Sequence, residues 1–319
     1  MINLSTTFRL PLSTIQAVRS VSFSLDKGEA LGVVGESGSG KTVLMHSLLR
    51  LPAQPPAELR GQALYNGIDL LTCSDAQIRS IRGNRIAVIF QDPSAAFNPY
   101  LRLVDQLVEP VMLHTTATRR EAEEKAVQAL NETGIPDAAK RIRAYPHQFS
   151  GGMLQRAMIA MALVMEPDII IADEPTTALD VTVQAQILTI MKRLIADKQI
   201  SVIFITHNLG IVGEFCNRIN VMYAGRILET APATALVASA AHPYTRALIG
   251  SVPGITDRPH RLTTIPGVPP DLSDPPAGCP FHPRCLFATD KCMRDLPELT
   301  EIAPGRFTAC IRMAAGEIT

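Results

Sequence analysis

The sequence predicts an α/β protein built on a mostly parallel β-sheet. The apolar strand ALGVV at residues 30–34 is followed by the glycine-rich stretch GESGSGKT and then by a helix-forming segment that runs to Arg50. Further along the chain, the strand DIIIAD, the helix-forming segment DVTVQAQILTIMKRLIADK and the strand SVIFIT follow in that order. Strands that alternate with helices favour a parallel sheet with helices packed on its faces, and this is the fold class we predict.

The other elements suggest two domains. Residues 17–34 predict two strands separated by a turn at 26–28, and the first strand includes the alternating segment VSFSL at 21–25. The segment INVMYAGRILET predicts two short strands around Gly225. The segments RREAEEKAVQALNETG and SGGMLQRAMIAMALVME predict helices, which we place in a helical subdomain of about 92–160 inserted into the α/β core. We expect a first domain over 1–235 and a small cysteine-containing extension over 236–319.

Composition limits the classes of function. The chain has 319 residues, of which 46% are hydrophobic, and its 30 basic and 30 acidic side chains give a formal net charge of zero. A nucleic-acid-binding protein usually carries a basic footprint, and we therefore predict no nucleic-acid partner. The segment MINLSTTFRL lacks the pattern of a secretory signal, and no apolar run reaches the roughly 20 residues of a spanning helix. We expect a cytoplasmic protein, whose membrane role would depend on partner proteins.

The stretch GESGSGKT matches the phosphate-binding pattern G-x-x-x-x-G-K-[ST]. Glycines let the backbone turn so that several N–H groups point at phosphate oxygens, and the following helix adds its positive end. Lys41 would reach the β- and γ-phosphates, and the hydroxyl of Thr42 would hold Mg²⁺. A chance match is the alternative, but the predicted strand before the loop and helix after it argue for a nucleoside triphosphate site. Its residues are Gly35, Glu36, Ser37, Gly38, Ser39, Gly40, Lys41 and Thr42.

An acidic pair ends the predicted strand DIIIAD. Asp173 would lie at the strand tip and bind Mg²⁺ through water, and Glu174 would orient or deprotonate an attacking water. The alternative is an ordinary solvated acidic turn. Beside a phosphate loop we favour the catalytic interpretation, because phosphoryl transfer depends on positioning and on charge neutralisation.

A third motif, FSGGM at residues 149–153, resembles the signature of ABC-type ATPases, in which Ser-Gly-Gly opens a helix toward phosphate. Gln91 in FQDP, Ala178-Leu179-Asp180 after the acidic pair and His207 in ITHN are similar to further marks of that family. The resemblance covers roughly the first 230 residues. Met153 and Phe149 depart from the usual signature residues, but the Ser-Gly-Gly core is kept.

This resemblance implies a P-loop NTPase core of the ABC-ATPase type that hydrolyses ATP. Two such domains would pair head to tail and enclose two ATP molecules. Ser150, Gly151 and Gly152 would contact the nucleotide held by the other chain's phosphate loop. The remaining implied roles are Gln91 at the metal and water, His207 at the γ-phosphate, Asp180 across the dimer interface and Phe8 stacked on adenine.

The second half of the chain narrows the resemblance. HPYTRALIGSVP, IPGVPPDL and GCPFHPRC are similar to dipeptide/oligopeptide importer ATPases. The resemblance implies two membrane permeases, a second ABC ATPase and an external solute-binding protein as partners, with the chain at the cytoplasmic face of the membrane. The cargo would be di- or oligopeptides; nickel chelates, glutathione, opines and sugars are alternatives. A soluble ABC ATPase of repair or translation and a regulatory subunit without turnover are the rival classes.

Four cysteines near the end have the spacing C-x5-C-x6-C-x17-C: Cys279, Cys285, Cys292 and Cys310. Thiolates in such a set can hold either an iron–sulfur cluster or tetrahedral zinc, and the residues alone do not choose between them. The family resemblance implies a [4Fe–4S] cluster. The alternative is four unrelated buried thiols. His242 and His282 are assigned to turns, with no metal role.

Overall fold

The computed structural model describes residues 1–52, 54–176, 180–251 and 265–318, without the side chain of Val181. The chain forms two compact units. Unit 1 comprises Met1–Leu25, Ala30–Cys73 and Ile205–Thr319, and unit 2 comprises Asp26–Glu29 and Ser74–Phe204. Among the described residues, no helix has the length and apolar character needed to cross a membrane.

The described residues form strands, α-helices and two short 3₁₀ helices. The strands are β1 (Ile2–Arg9), β2 (Thr14–Val21), β3 (Ala30–Val34), β4 (Ala57–Gln62), β5 (Leu64–Tyr65), β6 (Ile68–Asp69), β7 (Ile86–Ile89), β8 (Ile169–Asp173), β9 (Ser201–Thr206), β10 (Arg218–Tyr223), β11 (Arg226–Pro232), β12 (Thr300–Ala303) and β13 (Arg306–Thr308). The α-helices are α1 (Lys41–Leu48), α2 (Asp75–Ile81), α3 (Pro93–Ala96), α4 (Leu103–His114), α5 (Arg119–Glu132), α6 (Ala138–Arg141), α7 (Gly151–Leu163), α8 (Val181–Lys198), α9 (Leu209–Phe215), α10 (Ala233–Ala238), α11 (Pro243–Gly250), α12 (Asp290–Arg294) and α13 (Ile311–Ala314). Short 3₁₀ helices cover Pro146–Gln148 and His282–Arg284.

Unit 1 contains a parallel strand pair next to antiparallel strands. β3 pairs in parallel with β10, and every residue of β3 is buried, as expected of a parallel strand covered on both faces. β10 and β11 form the predicted hairpin around Gly225, whose φ of 76° suits a tight turn. β11 then pairs with β13, and β13 with β12. A separate antiparallel sheet has the order β2-β1-β4.

Unit 2 contains the parallel pair β7 and β8 together with the helices between them in sequence. The two helices predicted for the helical subdomain are present as α5 and α7. α5 begins with a capping box between Thr118 and Glu121, and the chain leaves it through Gly134 at φ 76°. α7 begins after Ser150, whose hydroxyl accepts the N–H of Met153. These caps fix where the predicted helices start and stop.

Of the two strands predicted over 17–34, the second is β3 and the first is β2, Thr14–Val21. The alternating segment 21–25 was predicted to be part of the first strand, but β2 contains only its first residue, Val21. The side chains of this segment do alternate in burial, since Phe23 and Leu25 are partly buried and their neighbours Ser22, Ser24 and Asp26 are exposed. The predicted boundary near residue 235 stays a prediction; the pairing of β11 with β13 joins the tail to the strands of unit 1.

Candidate functional site

The predicted phosphate loop connects β3 to α1 in unit 1. Gly40 caps the helix in a left-handed conformation, with φ 97°. A Cβ atom on Gly40 would collide with the carbonyl oxygen of Ala17, and one on Gly35 would collide with that of Met222. Glycine is therefore required at both positions, because the loop backbone packs directly on other backbone.

Lys41 lies at the centre of this loop. Lys41 is buried, with only 6% of its surface exposed. The ammonium donates hydrogen bonds to the carbonyl oxygens of Gly35 at 2.8 Å and Glu36 at 2.9 Å, and to the hydroxyl of Ser39 at 3.4 Å. Thr42, the predicted metal ligand, is exposed at the start of α1. The predicted residues thus form one continuous loop that surrounds a buried positive charge.

Glu36 has partners that the sequence did not reveal. Its carboxylate accepts two hydrogen bonds from Arg284, at 2.6 and 3.0 Å, and its backbone N–H donates to the hydroxyl of Tyr244 at 2.9 Å. The bond to Glu36 raises the pKa of Arg284, and burial raises the pKa of Tyr244. No signal in the motif predicts these contacts, because they join residues more than 200 positions apart.

The predicted catalytic acid lies in unit 2 at the end of β8. Asp173 closes the strand and is 3% exposed, whereas Glu174 follows at φ 46°, an uncommon conformation for a residue with a side chain. Gln91, which follows β7, donates a hydrogen bond from its amide to the carboxylate of Glu174 at 3.4 Å. Two residues predicted from separate motifs therefore meet at the carboxyl ends of neighbouring parallel strands, where α/β proteins place their ligand sites.

The signature segment also lies in unit 2. Ser150 and Gly151 are exposed, and Gly152 is partly exposed, at the N-terminal end of the 13-residue helix α7. No acidic residue occupies the first turn of this helix, so its positive end is not neutralised by its own side chains. Asp180 accepts the N–H of Val183 at 2.9 Å and caps α8. The neighbouring Ala178 and Leu179 lie outside the described residues.

Two further predicted residues lie in unit 1. His207 is exposed directly after β9. Phe8 is partly exposed in β1, opposite Ile15 and Ala57. Their predicted contacts, with the γ-phosphate and with adenine, stay predictions.

The four predicted cysteines, Cys279, Cys285, Cys292 and Cys310, line one cavity of unit 1. The backbone N–H of Cys279 donates to the carbonyl of Cys292 at 2.8 Å, and burial raises the pKa of the Cys279 thiol to about 12. As the side chains lie, however, no group of three or more His, Cys, Asp or Glu residues in the described ranges could hold a metal ion. Four thiols can line one cavity without lying close enough together to bind one metal ion. The geometry by itself therefore does not support the predicted cluster. His242 and His282 begin a helix and a 3₁₀ turn.

Comparison with known proteins agrees with these motifs. A family profile described as "ABC transporter" matches residues 18–177, and one described as "Oligopeptide/dipeptide transporter, C-terminal region" matches 228–292. A dimeric ATP-binding cassette solved in a post-hydrolysis state with ADP and Pi superposes with a TM-score of 0.64 at 25% identity, covering 73% of this chain and 97% of that one. The fold is therefore that of an ATP-binding cassette, an ATPase of the P-loop class.

Relatives extend over nearly the whole chain. A probable peptide ABC transporter ATP-binding protein of Sinorhizobium fredii is 49% identical over 97% of this chain and 93% of its own length. The oligopeptide transport ATP-binding protein OppD of Salmonella typhimurium is 44% identical over 97% and 92%, and a putative peptide import ATP-binding protein of Brucella abortus is 47% identical over the same shares. The chain belongs to the ABC transporter family of ATP-binding proteins.

Proposed function

We propose that the chain is the ATP-binding and ATP-hydrolysing subunit of an ABC importer for di- or oligopeptides. The observation that carries this proposal is the presence of a cassette over 18–177 and an oligopeptide/dipeptide transporter region over 228–292 in one chain. Relatives of nearly full length are named for peptide transport or import, which supports the same cargo class.

Hydrolysis would follow from the residues already described. Lys41 and the backbone of its loop would bind the phosphates of ATP, and Thr42, Gln91 and Asp173 would hold Mg²⁺. Bound Mg²⁺ would neutralise charge on the phosphate oxygens. Glu174 would take a proton from a water whose oxygen attacks the γ-phosphorus, while the bond from that phosphorus to the β–γ bridging oxygen breaks and ADP leaves. His207 would contact the γ-phosphate.

The importer would contain further subunits. A second ABC ATPase would present its own signature helix to this chain's nucleotide, and Ser150, Gly151 and Gly152 of this chain would act on the partner's, with Asp180 at the interface. Two permeases would hold both ATPases at the cytoplasmic face of the membrane. A solute-binding protein on the other side would deliver the cargo, which this chain would not contact.

We also propose that the four tail cysteines hold a [4Fe–4S] cluster, with zinc as the alternative. The chemistry of the donor set supports this, because soft thiolates suit both groups. The test measures iron, acid-labile sulfide and zinc in protein purified without oxygen. Cys285→Ser should lose the bound metal, whereas Cys73→Ser, outside the cavity, should keep it. Metal-free parental protein would contradict the cluster and leave the ATPase proposal intact.

The importer itself is tested by gentle purification of the tagged chain from its native membrane. Co-purification of two permeases and a second ATPase is the expected result, and the solute-binding protein of the same system can then be screened with peptides, nickel chelates, glutathione, opines and sugars. Peptide binding would support the cargo, and a different ligand would replace it. Ribosomal proteins or DNA without any permease would contradict the transport role.

A further inference from the structure

Arg284 lies in the C-terminal tail, but its guanidinium group contacts Glu36 of the phosphate loop. Its side chain is 5% exposed, and a guanidinium group has five N–H donors. Two of them bind the Glu36 carboxylate, and one binds the hydroxyl of Tyr223 at 3.2 Å. The other two bind the carbonyl oxygens of Pro266 at 2.8 Å and Ile265 at 3.5 Å. All five donors thus have protein acceptors, which leaves none for a nucleotide phosphate.

Glu36 is held from three directions. Arg284 binds its carboxylate, the Tyr244 hydroxyl accepts its backbone N–H, and the Lys41 ammonium binds its carbonyl oxygen. The aromatic rings behind it form a compact group, with Tyr223 and Tyr244 centroids 4.6 Å apart and Phe281 within 5.4 Å of both. The second residue of the phosphate loop is therefore fixed through its side chain and both of its backbone polar groups.

The negative charge of Glu36 affects how the loop can bind phosphate. The motif places no requirement on position 36, yet the residue there is a carboxylate within a loop that binds polyanions. An uncompensated carboxylate at that place would repel phosphate, and the repulsion grows as burial lowers the effective dielectric constant. The bidentate ion pair with Arg284 supplies the compensating positive charge in a fixed geometry.

We propose that Arg284 is a positioning residue of the nucleotide site, which neutralises and orients Glu36 so that the loop accepts the phosphates of ATP. This deepens the proposed function and rests on the role of residues 35–42 in binding nucleotide. Arg284 lies between Cys279 and Cys285, and both of these cysteines line the tail cavity. The same contact therefore makes nucleotide affinity depend on the order of the cysteine segment.

The test compares ATP and ADP affinity, by calorimetry, in four variants of the full chain. Arg284→Met should weaken ATP binding by at least about tenfold, and ADP binding by less, since ADP carries less negative charge. Glu36→Gln removes the carboxylate while Arg284 is present, and its ATP affinity is the reference for the double variant. The double variant Arg284→Met/Glu36→Gln should recover most of the lost affinity, because it removes the uncompensated charge. Arg306→Met, a tail arginine that donates to the Ser239 carbonyl, serves as the matched control.

The outcomes separate the electrostatic role from a structural one. If the double variant binds as poorly as Arg284→Met while circular dichroism shows all variants folded, Arg284 only supports the fold and the proposal is overturned. Loss of binding in Arg306→Met would overturn it as well. Lys41→Met tests the premise: if that variant keeps parental affinity, residues 35–42 are not the nucleotide site, and the failure lies there.

A second comparison tests the link to the cysteine segment. Cys285→Ser should weaken ATP binding in the parental background and have little further effect when combined with Arg284→Met, because both changes act through one contact. Independent, additive losses would overturn the link, as would unchanged affinity in Cys285→Ser. The readout is nucleotide affinity, which can be measured on protein prepared with or without bound metal.

Discussion

The side-chain amide of Gln91 donates a hydrogen bond to the carboxylate of Glu174 across two neighbouring parallel strands. The backbone of Glu174 is in a left-handed conformation, at φ 46°, which a residue with a side chain adopts at some energetic cost. The carboxylate is therefore oriented by its backbone conformation and by the amide of Gln91. Such preorganisation is what a group that activates water requires.

Replacing Glu174 with Gln should separate ATP binding from ATP hydrolysis. The amide keeps the shape of the side chain but cannot accept the proton of the attacking water. We expect phosphate release to fall by about 100-fold or more, as is typical when a general base is lost, with ATP affinity within a few-fold of the parental value. Both quantities can be measured on the purified chain with its partner ATPase.

The matched control is Glu124→Gln, which changes an exposed carboxylate paired with Arg120 on the surface of α5. It should leave hydrolysis unchanged. Parental turnover in Glu174→Gln would show that another group activates the water, and equal loss of ATP binding would show that the substitution disturbs the site as a whole.

Lys41→Met should abolish nucleotide binding and also lower stability. The ammonium holds the carbonyl oxygens of Gly35 and Glu36, and its removal leaves these acceptors without that donor inside the loop. The expected cost is about 1–3 kcal/mol of unfolding free energy, measured by urea denaturation. Lys140→Met, at an exposed position of α6, should change neither quantity. Retained ATP affinity in Lys41→Met would contradict the assignment of the loop.

Gly151→Asp should prevent the ATP-dependent dimer without unfolding the chain. A carboxylate in the first turn of α7 interacts favourably with the helix dipole, so the helix itself is not weakened. The same charge would repel the phosphates of a nucleotide held by the partner chain. In the Glu174→Gln background, size-exclusion chromatography with ATP should show dimer, and addition of Gly151→Asp should return the monomer with its own ATP affinity unchanged. Gln128→Asp on the outer face of α5 is the control.

Local sequence motifs predicted the phosphate loop and the helices α5 and α7 well. GESGSGKT contains its own turn residues, helix start and central lysine, and the structure forms that loop between β3 and α1 as expected. The helices α5 and α7 were equally predictable, because their caps, Thr118 and Ser150, lie next to the segments that they begin.

Contacts between distant segments were not predictable in the same way. The ion pair of Arg284 with Glu36 spans 248 positions, and nothing near either residue indicates the other. The predicted end of the first strand, at residue 25, was wrong for a related reason. Alternating polarity shows which side chains are buried, but a strand also needs a backbone partner, and β1 pairs with residues up to Val21.

Two glycines of the phosphate loop provide a test of packing that is independent of ligand. Gly38 and Gly40 both have positive φ, 77° and 97°, so alanine is strained at either position. At Gly38 nothing lies within 4 Å of the added Cβ, and we expect Gly38→Ala to cost about 1–2 kcal/mol from backbone strain alone. At Gly40 the Cβ would meet the carbonyl oxygen of Ala17, so Gly40→Ala must also displace backbone and should cost more. Urea denaturation of the nucleotide-free chain measures both, and equal losses would show that the close approach of Ala17 does not hold the loop in place.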